Sequence, residues 1–211
     1  MLRGIFLDLD GTLADSLPLL RGVYQEFMTG LGLTPREDEF GWLAGLTFQG
    51  VLEHLRTRYH LTQTNEEIAA AFQEIMRRSY HRLVRLAPGG RELCQAAREH
   101  GLHLAVVTSA SRRITGRFLA LHGLDLLVDQ VVASEDVGRS KPHPEPYLKA
   151  LATAGLSPAE GLAVEDSPPG VMSALAAGLP TFVIAHPGAP PTRQEGVAGY
   201  ISRLDEIIDR L

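Results

Sequence analysis

The chain has 211 residues, 45% hydrophobic and 21% charged, which is typical of a globular protein with a full core and room for a small second domain. Its net charge is −5 without runs of like charge, so we expect no nucleic-acid or membrane partner. The single cysteine, Cys94, excludes an intrachain disulfide, and we expect it to be buried in a helix. The apolar run at residues 1–7 is too short for a signal peptide, so we expect a cytoplasmic protein, with a monomer as the default.

Short apolar runs with the β-branched composition of buried parallel strands recur along the chain. They lie at residues 4–9, 102–107, 127–133, 161–164 and 181–185. Helix-length segments separate the later runs, and this alternation is typical of βα units. The sequence therefore predicts an α/β fold with a parallel sheet.

The interval between the first and second predicted strands has a different pattern. From residue 14 to residue 87 no strand signal occurs, and apolar residues recur at helical spacing. Thr34 and Thr64 are each followed three residues later by a glutamate, which is typical of capped helix starts. Because a crossover needs far fewer residues, we predict an inserted helical domain at 15–87 and a core formed by 1–14 and 88–211.

Two pairs of acidic residues follow strands of the predicted sheet. Asp8 and Asp10 lie on one side of the chain at the end of the first strand, and Gly11 then permits a tight turn. Glu165 and Asp166 follow the fourth strand. Either pair alone would also fit a solvated turn. Because ligands of open parallel sheets bind at the carboxyl ends of the strands, we expect the carboxylates to converge around a cation, and all-oxygen ligands favour Mg²⁺.

Polar residues suited to a phosphoryl group follow the second and third strands. Thr108 and Ser109 offer hydroxyls and turn amides to phosphate oxygens, although Thr108 also fits the N-cap of the next helix. Lys141 follows the third strand, where its charge can offset that of a carboxylate nucleophile and a phosphoryl group. The chain has one other lysine, Lys149, so a specific role for Lys141 is favoured over that of a surface cation.

The motifs at the strand ends resemble the four motifs of the haloacid dehalogenase superfamily in order and position. They are Asp8-x-Asp10-Gly11-Thr12, Thr108, Lys141 and Glu165-Asp166. The helical insertion after the first motif resembles the cap of the subgroup that contains phosphoglycolate phosphatases and β-phosphoglucomutases. This resemblance implies a Rossmann-like core that carries a small α-helical cap.

The resemblance also implies catalysis through an aspartyl-phosphate and a Mg²⁺ cofactor. Asp8 is expected to be the nucleophile and a metal ligand. Asp10 is expected to be the general acid and base, with its backbone carbonyl on the metal. Asp166 is expected to bind the metal directly, with Glu165 beside it or acting through water.

Substrate-binding residues follow from the same resemblance. Thr108 and the amide of Ser109 are expected to hold the phosphoryl group, while Lys141 balances its charge. In the cap, the loop residues Gly45, Leu46 and Thr47 are expected to face the site, with Gly45 and Thr47 as contacts to the substrate. Arginines at residues 77, 78, 82 and 85 either bind a second anionic group or form a solvated face.

The motifs favour a phosphatase over other activities of the superfamily. Asp10 argues against a dehalogenase, and the absence of lysine from residues 15–87 argues against a phosphonatase. Mutases typically have a histidine and an arginine where this chain has Leu20 and Phe48. A phosphosugar mutase nevertheless stays open, as does a non-catalytic protein that binds a phosphorylated ligand or a partner. We predict a Mg²⁺-dependent phosphatase that hydrolyses a small phosphorylated metabolite.

Overall fold

The chain folds into a parallel sheet flanked by helices, with a group of helices inserted after the first strand. The computed structural model describes residues 1–43, 46, 48–186 and 194–211, with their side chains except those at 37, 41, 42, 73, 76, 77 and 79–83. The strands are β1 Gly4–Leu7, β2 Ala14–Asp15, β3 Arg85–Leu86, β4 His103–Val107, β5 Gln130–Val132, β6 Gly161–Glu165, β7 Thr181–Ile184 and β8 Gly199–Ile201.

Helices connect most of these strands. They are α1 Leu17–Gly30, α2 Glu37–Leu43, α3 Phe48–Tyr59, α4 Asn65–Leu83, α5 Gly90–Glu99, α6 Arg112–Leu121, α7 Glu145–Ala154 and α8 Pro168–Ala176. Among the described residues, none of the helices combines the length and the apolar character that crossing a membrane requires.

The main sheet has its strands in the order β5-β4-β1-β6-β7-β8, and every pair of neighbours is parallel. The predicted α/β fold with a Rossmann-like sheet is confirmed. After β1 the chain places β4 and β5 on one side of it, then crosses to build β6, β7 and β8 on the other. Strand order therefore reverses at β1, and a crevice opens there at the carboxyl ends of the strands.

Alternate residues of β1 pack on opposite faces of the sheet. Ile5 and Leu7 contribute to a cluster that includes the α5 residue Cys94, whereas Phe6 contributes to a cluster that includes the α7 residue Tyr147. Cys94 is fully buried, as expected, and burial raises the pKa of its thiol to about 12. This cysteine is therefore a packing residue rather than a reactive one.

The helices α1 to α4 form a third apolar cluster of their own. α4 begins with the predicted capping box, in which Thr64 accepts a hydrogen bond from the amide of Glu67 (3.2 Å) and donates its own amide to the Glu67 carboxylate (2.9 Å). The two ends of the inserted segment meet where β2 pairs with β3 in an antiparallel ladder. The division into a cap at 15–87 and a core at 1–14 and 88–211 stays a prediction.

Candidate active site

The loop after β1 carries the first acidic pair into the crevice. The amide of Asp8 donates to the carbonyl of Val164 (3.0 Å) and so extends the pairing of β1 with β6. The chain then turns back, with the amide of Ala14 donating to the carbonyl of Leu9 (2.8 Å). Asp8 and Asp10 both line a cavity of about 1000 Å³ that is bounded by the sheet edge and by the inserted helices.

Lys141 links the two acidic pairs. Its ammonium group lies 2.6 Å from Asp8 Oδ1 and 2.5 Å from Glu165 Oε1, and it donates to the carbonyl of Val107 at 2.9 Å. Burial alone would lower the pKa of Lys141, but the carboxylates of Asp8 and Glu165 raise it above its usual value. A permanently charged lysine therefore lies against the predicted nucleophile.

Three carboxylates cluster at the ends of β1 and β6. One oxygen each of Asp8, Glu165 and Asp166 lies within 4.8 Å of the others. Burial raises the pKa of Asp8 well above its usual value, and Lys141 opposes that shift. Burial likewise raises the pKa of Asp166, opposed by the nearby His186, whose Nε2 lies 3.6 Å from Asp166 Oδ2. Ionised carboxylates at this spacing repel one another, and an all-oxygen set of this kind fits Mg²⁺.

Gly11 allows the loop after β1 to approach the loop after β6. Its φ is +87°, a conformation that favours glycine, and a Cβ built on it would lie 2.1 Å from Asp166 Oδ2. The turn predicted at Gly11 thus brings the loop after β1 against Asp166, next to the cluster of Asp8, Glu165 and Asp166.

Glu165 has contacts that the sequence did not reveal. The hydroxyl of Tyr147 donates to Glu165 Oε1 (2.7 Å), and Ser167 Oγ lies 3.4 Å from Glu165 Oε2. The ammonium of Lys141 sits 5.3 Å from the centre of the Tyr147 ring. Tyr147 is fully buried in α7, and no motif in the sequence marks it as a site residue. Glu165 and Tyr147 together hold Lys141 in place.

The loop between β4 and α6 lines the cavity opposite the acidic pairs. Ser111 is the N-cap of α6 and accepts from the amide of Ile114 (3.4 Å), so Thr108 is not the N-cap that the sequence also allowed. Thr108 accepts from the amide of Ala110 instead (3.0 Å). Thr108 and Ser109 both line the cavity next to the N-terminus of α6, which favours an anion.

The cap contacts predicted at Gly45 and Thr47 lie outside the described residues. Of the four arginines near the end of the cap, Arg78 pairs with Glu26 (3.1 Å) and Arg85 is exposed, and neither lines the cavity. The side chains of the other two, at 77 and 82, are not described. For Arg78 and Arg85 the structure favours a solvated face over a substrate contact.

The fold and the site define an α/β protein with an inserted helical segment, in which carboxylates and a buried lysine meet where the strand order reverses. Residues 5–184 match the haloacid dehalogenase-like hydrolase family, and the chain belongs to that family. The predicted resemblance is thereby confirmed, as is the assignment to hydrolases.

Relatives of known name agree with the predicted class of phosphoric monoester hydrolases. The chain is 31% identical over 195 residues to hexitol phosphatase A of Escherichia coli strain K12, covering 92% of this chain and 88% of that protein. It is also 31% identical over 195 residues to the plasmid-encoded phosphoglycolate phosphatase of Cupriavidus necator, covering 88% and 84%. The crystal structure of CbbY from Rhodobacter sphaeroides in complex with phosphate has a TM-score of 0.78 at 27% identity and covers 98% of this chain and 96% of that one.

Proposed function

We propose that the protein is a Mg²⁺-dependent phosphatase that hydrolyses a small phosphomonoester through an aspartyl-phosphate on Asp8. The observation that carries this proposal is the position of the Asp8 carboxylate. It lines the cavity, lies 2.6 Å from the Lys141 ammonium, and belongs to a carboxylate cluster within 4.8 Å.

The residues at the site suit a bound Mg²⁺. Asp8, Asp166 and the backbone carbonyl of Asp10 would hold it, with Glu165 adjacent. Bound there, the ion supplies positive charge that draws the anionic phosphate to an anionic nucleophile and stabilises the phosphoryl oxygens.

In the first step, Asp8 attacks the phosphorus atom, a bond from its carboxylate oxygen forms, and the bond to the leaving alcohol breaks. Asp10 donates a proton to that alcohol as it leaves. In the second step, Asp10 takes a proton from water, which attacks the phosphorus and releases inorganic phosphate from Asp8. Splitting one displacement into two in this way lowers each barrier.

Other residues of the cavity hold the charge and exclude water. Lys141 favours the ionised form of Asp8 against the effect of burial and faces the transferring group. Thr108, the amide of Ser109 and the N-terminus of α6 would hold phosphoryl oxygens. The inserted helices limit the access of bulk water, and Gly45 and Thr47 stay predicted contacts from that side.

A phosphatase is favoured over a phosphosugar mutase by the lining of the cavity. Leu20 and Phe48, which occupy the positions where mutases typically have a histidine and an arginine, both line it. Neither side chain can bind the second phosphate of a bisphosphate intermediate. The names of the two phosphatase relatives also support hydrolysis of a phosphomonoester.

The test is the substitution Asp8→Asn, assayed as Mg²⁺-dependent phosphate release from a panel of phosphomonoesters. Because the nucleophile is lost, we expect kcat to fall by at least about a thousandfold. Asp15→Asn is the matched control, since Asp15 is exposed in β2 and outside the cavity lining, and its activity should not change. Asp10→Asn should lose turnover but still bind the metal. Undiminished turnover in Asp8→Asn would end the proposal.

A further inference from the structure

We propose that the substrate of this site carries an apolar alkyl or aromatic group on its phosphate, and that this group lies against the inserted helices. The inference rests on the proposed phosphatase function and names the class of substrate. A polyol or sugar phosphate is the alternative that it excludes.

The inserted helices present an apolar wall to the cavity, here called the roof. The roof consists of half-buried side chains that line the cavity, namely Leu20, Leu46, Phe48, Val51 and Phe72. Behind them lie buried residues of the cap core, which also reach the cavity lining, namely Tyr24, Phe40 and Leu43. Apolar surface that stays partly open in a concave site favours an apolar ligand group, because binding then removes that surface from water.

Aromatic rings make part of the roof rigid. The rings of Phe48 and Phe72 lie 5.3 Å apart, and Phe72 also packs edge-on against Phe27 at 5.5 Å. This packing fixes the ring of Phe72 from behind and supports that of Phe48. A ring held in this way offers a preorganised face to an alkyl chain or to another ring.

Polar groups beside the roof are few among the described residues. Gln49 and Glu53 line the cavity, and they hydrogen-bond to each other at 3.5 Å. The hydroxyl of Tyr24 already donates to Glu39 (2.5 Å) and accepts from the amide of Arg36 (3.1 Å). A polyol placed against the apolar side chains of the roof would lose water from its hydroxyl groups without gaining matching partners from them, which is unfavourable.

The charged side chains of the lining are also divided between the core and the inserted helices. Among the described residues of the lining, the positive side chains are Lys141, Arg113 and Arg117 of the core, whereas the cap helices contribute the acidic Glu53. The phosphate end of a substrate is therefore drawn to the core and the organic end to the roof. The cavity of about 1000 Å³ is at the upper end of the range for small-molecule sites, so the organic end has room to be large.

The experiment compares hexyl phosphate with sorbitol 6-phosphate, each a primary phosphomonoester of a six-carbon chain. They differ in the hydroxyl groups, and the leaving alcohol of hexyl phosphate is intrinsically no better than that of the polyol. We expect kcat/KM, measured as Mg²⁺-dependent phosphate release, to be at least about tenfold higher for hexyl phosphate.

Substitutions in the roof test whether the preference for hexyl phosphate comes from its apolar side chains. Phe48→Ser should lower kcat/KM for hexyl phosphate by about tenfold and change that for sorbitol 6-phosphate by less than about twofold. Val51→Thr keeps the side-chain volume, so it tests the same point if Phe48→Ser disturbs folding, with a loss of about threefold expected. Leu126→Ser is the control, because Leu126 is 84% exposed and outside the cavity lining.

The outcomes separate this inference from the function on which it rests. Asp8-dependent turnover that is equal for the two compounds, or higher for sorbitol 6-phosphate, overturns the inference and leaves the phosphatase standing. If only polar phosphomonoesters are hydrolysed in an Asp8-dependent manner, the inference is likewise overturned and the phosphatase stands. If no phosphomonoester is hydrolysed in an Asp8-dependent manner, both proposals fall.

Discussion

Gly11 occupies a position that a larger residue cannot take without moving a proposed metal ligand. Gly11→Ala would combine a φ of +87° with a Cβ placed 2.1 Å from Asp166 Oδ2. We expect it to weaken activation by Mg²⁺ by about a hundredfold, because Asp166 must move. The measurement is the Mg²⁺ concentration needed for half-maximal phosphate release.

Gly32 provides the matched control for that substitution. Its φ is +72°, and a Cβ there would meet nothing within 4 Å. Gly32→Ala should therefore cost only the backbone strain, about 1–2 kcal/mol of unfolding free energy, with normal Mg²⁺ activation. Equal Mg²⁺ activation in both variants would show that the position of Asp166 does not matter.

Tyr147 is a positioning residue for Lys141 and Glu165. Tyr147→Phe keeps the buried ring beneath the ammonium but removes the donor to Glu165 Oε1. With that donor lost, Glu165 attracts Lys141 more strongly and draws it from Asp8, so we expect kcat to fall by about tenfold while KM changes little. Tyr200→Phe is the control, since Tyr200 is exposed in β8. A change in KM with an unaltered kcat would contradict this role.

The sequence revealed the charged residues of the site but not their support. Asp8 and Glu165 could be predicted as neighbours because polar residues at the ends of buried strands converge in a parallel sheet. Tyr147 could not, because a tyrosine inside a helix is indistinguishable from core packing until its contact with Glu165 is known.

A buried carboxylate joins the first three cap helices. Glu39 in α2 accepts hydrogen bonds from the hydroxyls of Tyr24 in α1 (2.5 Å) and Tyr59 in α3 (2.7 Å), and lies 2.9 Å from His54 Nε2, also in α3. Burial alone would raise the pKa of Glu39, but these partners lower it below its usual value of 4.5. The ionised form of Glu39 therefore stabilises the arrangement of the helices.

This arrangement predicts a pH-dependent loss of stability on substituting Glu39→Gln. Glu39 has a lower pKa in the folded protein than in the unfolded chain. Its contribution to stability is therefore complete above the pKa of the unfolded chain and is lost as the pH falls through the pKa of the folded protein. We expect the free energy of unfolding of the variant to be about 1–3 kcal/mol lower than that of the wild type at pH 7, and this difference to be smaller at pH 3. Urea unfolding at both pH values measures it. A deficit that grows on acidification would contradict the role of the carboxylate.

Elements with a long periodic pattern could be predicted, and short ones could not. Each of the five runs assigned as strands overlaps a strand of the main sheet. The expectation of no strand between 14 and 87 is wrong, because β2 and β3, of two residues each, lie at the two ends of that interval. β8, with three residues and a half-exposed edge, was also missed. α2 begins at Glu37 rather than just after Thr34, and the amide of Arg36 there donates to the hydroxyl of Tyr24 (3.1 Å).

At the scale of the molecule, the cavity forms where two separately packed parts meet. The loops at the carboxyl ends of the strands supply its charged floor, and the inserted helices supply its apolar roof. Periodicity identifies which residues a helix buries, but it does not show which of them face a neighbouring domain. Phe48 illustrates this limit, since the structure packs it against the cap core and also places it in the cavity lining.

The carboxylate cluster should couple Mg²⁺ to the stability of the whole protein. Folding brings Asp8, Glu165 and Asp166 together against their mutual repulsion, and an ion that binds only the folded state shifts unfolding to higher temperature. At about 100 times the dissociation constant the gain is about 2.7 kcal/mol, or roughly 5–10 °C in Tm for a chain of this size. Calorimetry with and without Mg²⁺, at constant ionic strength, measures it.

Asp166→Asn distinguishes this site from Mg²⁺ binding elsewhere. The substitution removes one of the repelling charges, so without Mg²⁺ the variant should be at least as stable as the wild type. It also removes a proposed ligand, so the increase in Tm with Mg²⁺ should disappear, whereas Asp15→Asn, outside the cluster, should keep it. Because the variant is expected to be no less stable than the wild type without Mg²⁺, a general loss of folding cannot mimic the lost response to the ion. An undiminished Mg²⁺ effect in Asp166→Asn would place the ion somewhere other than between β1 and β6.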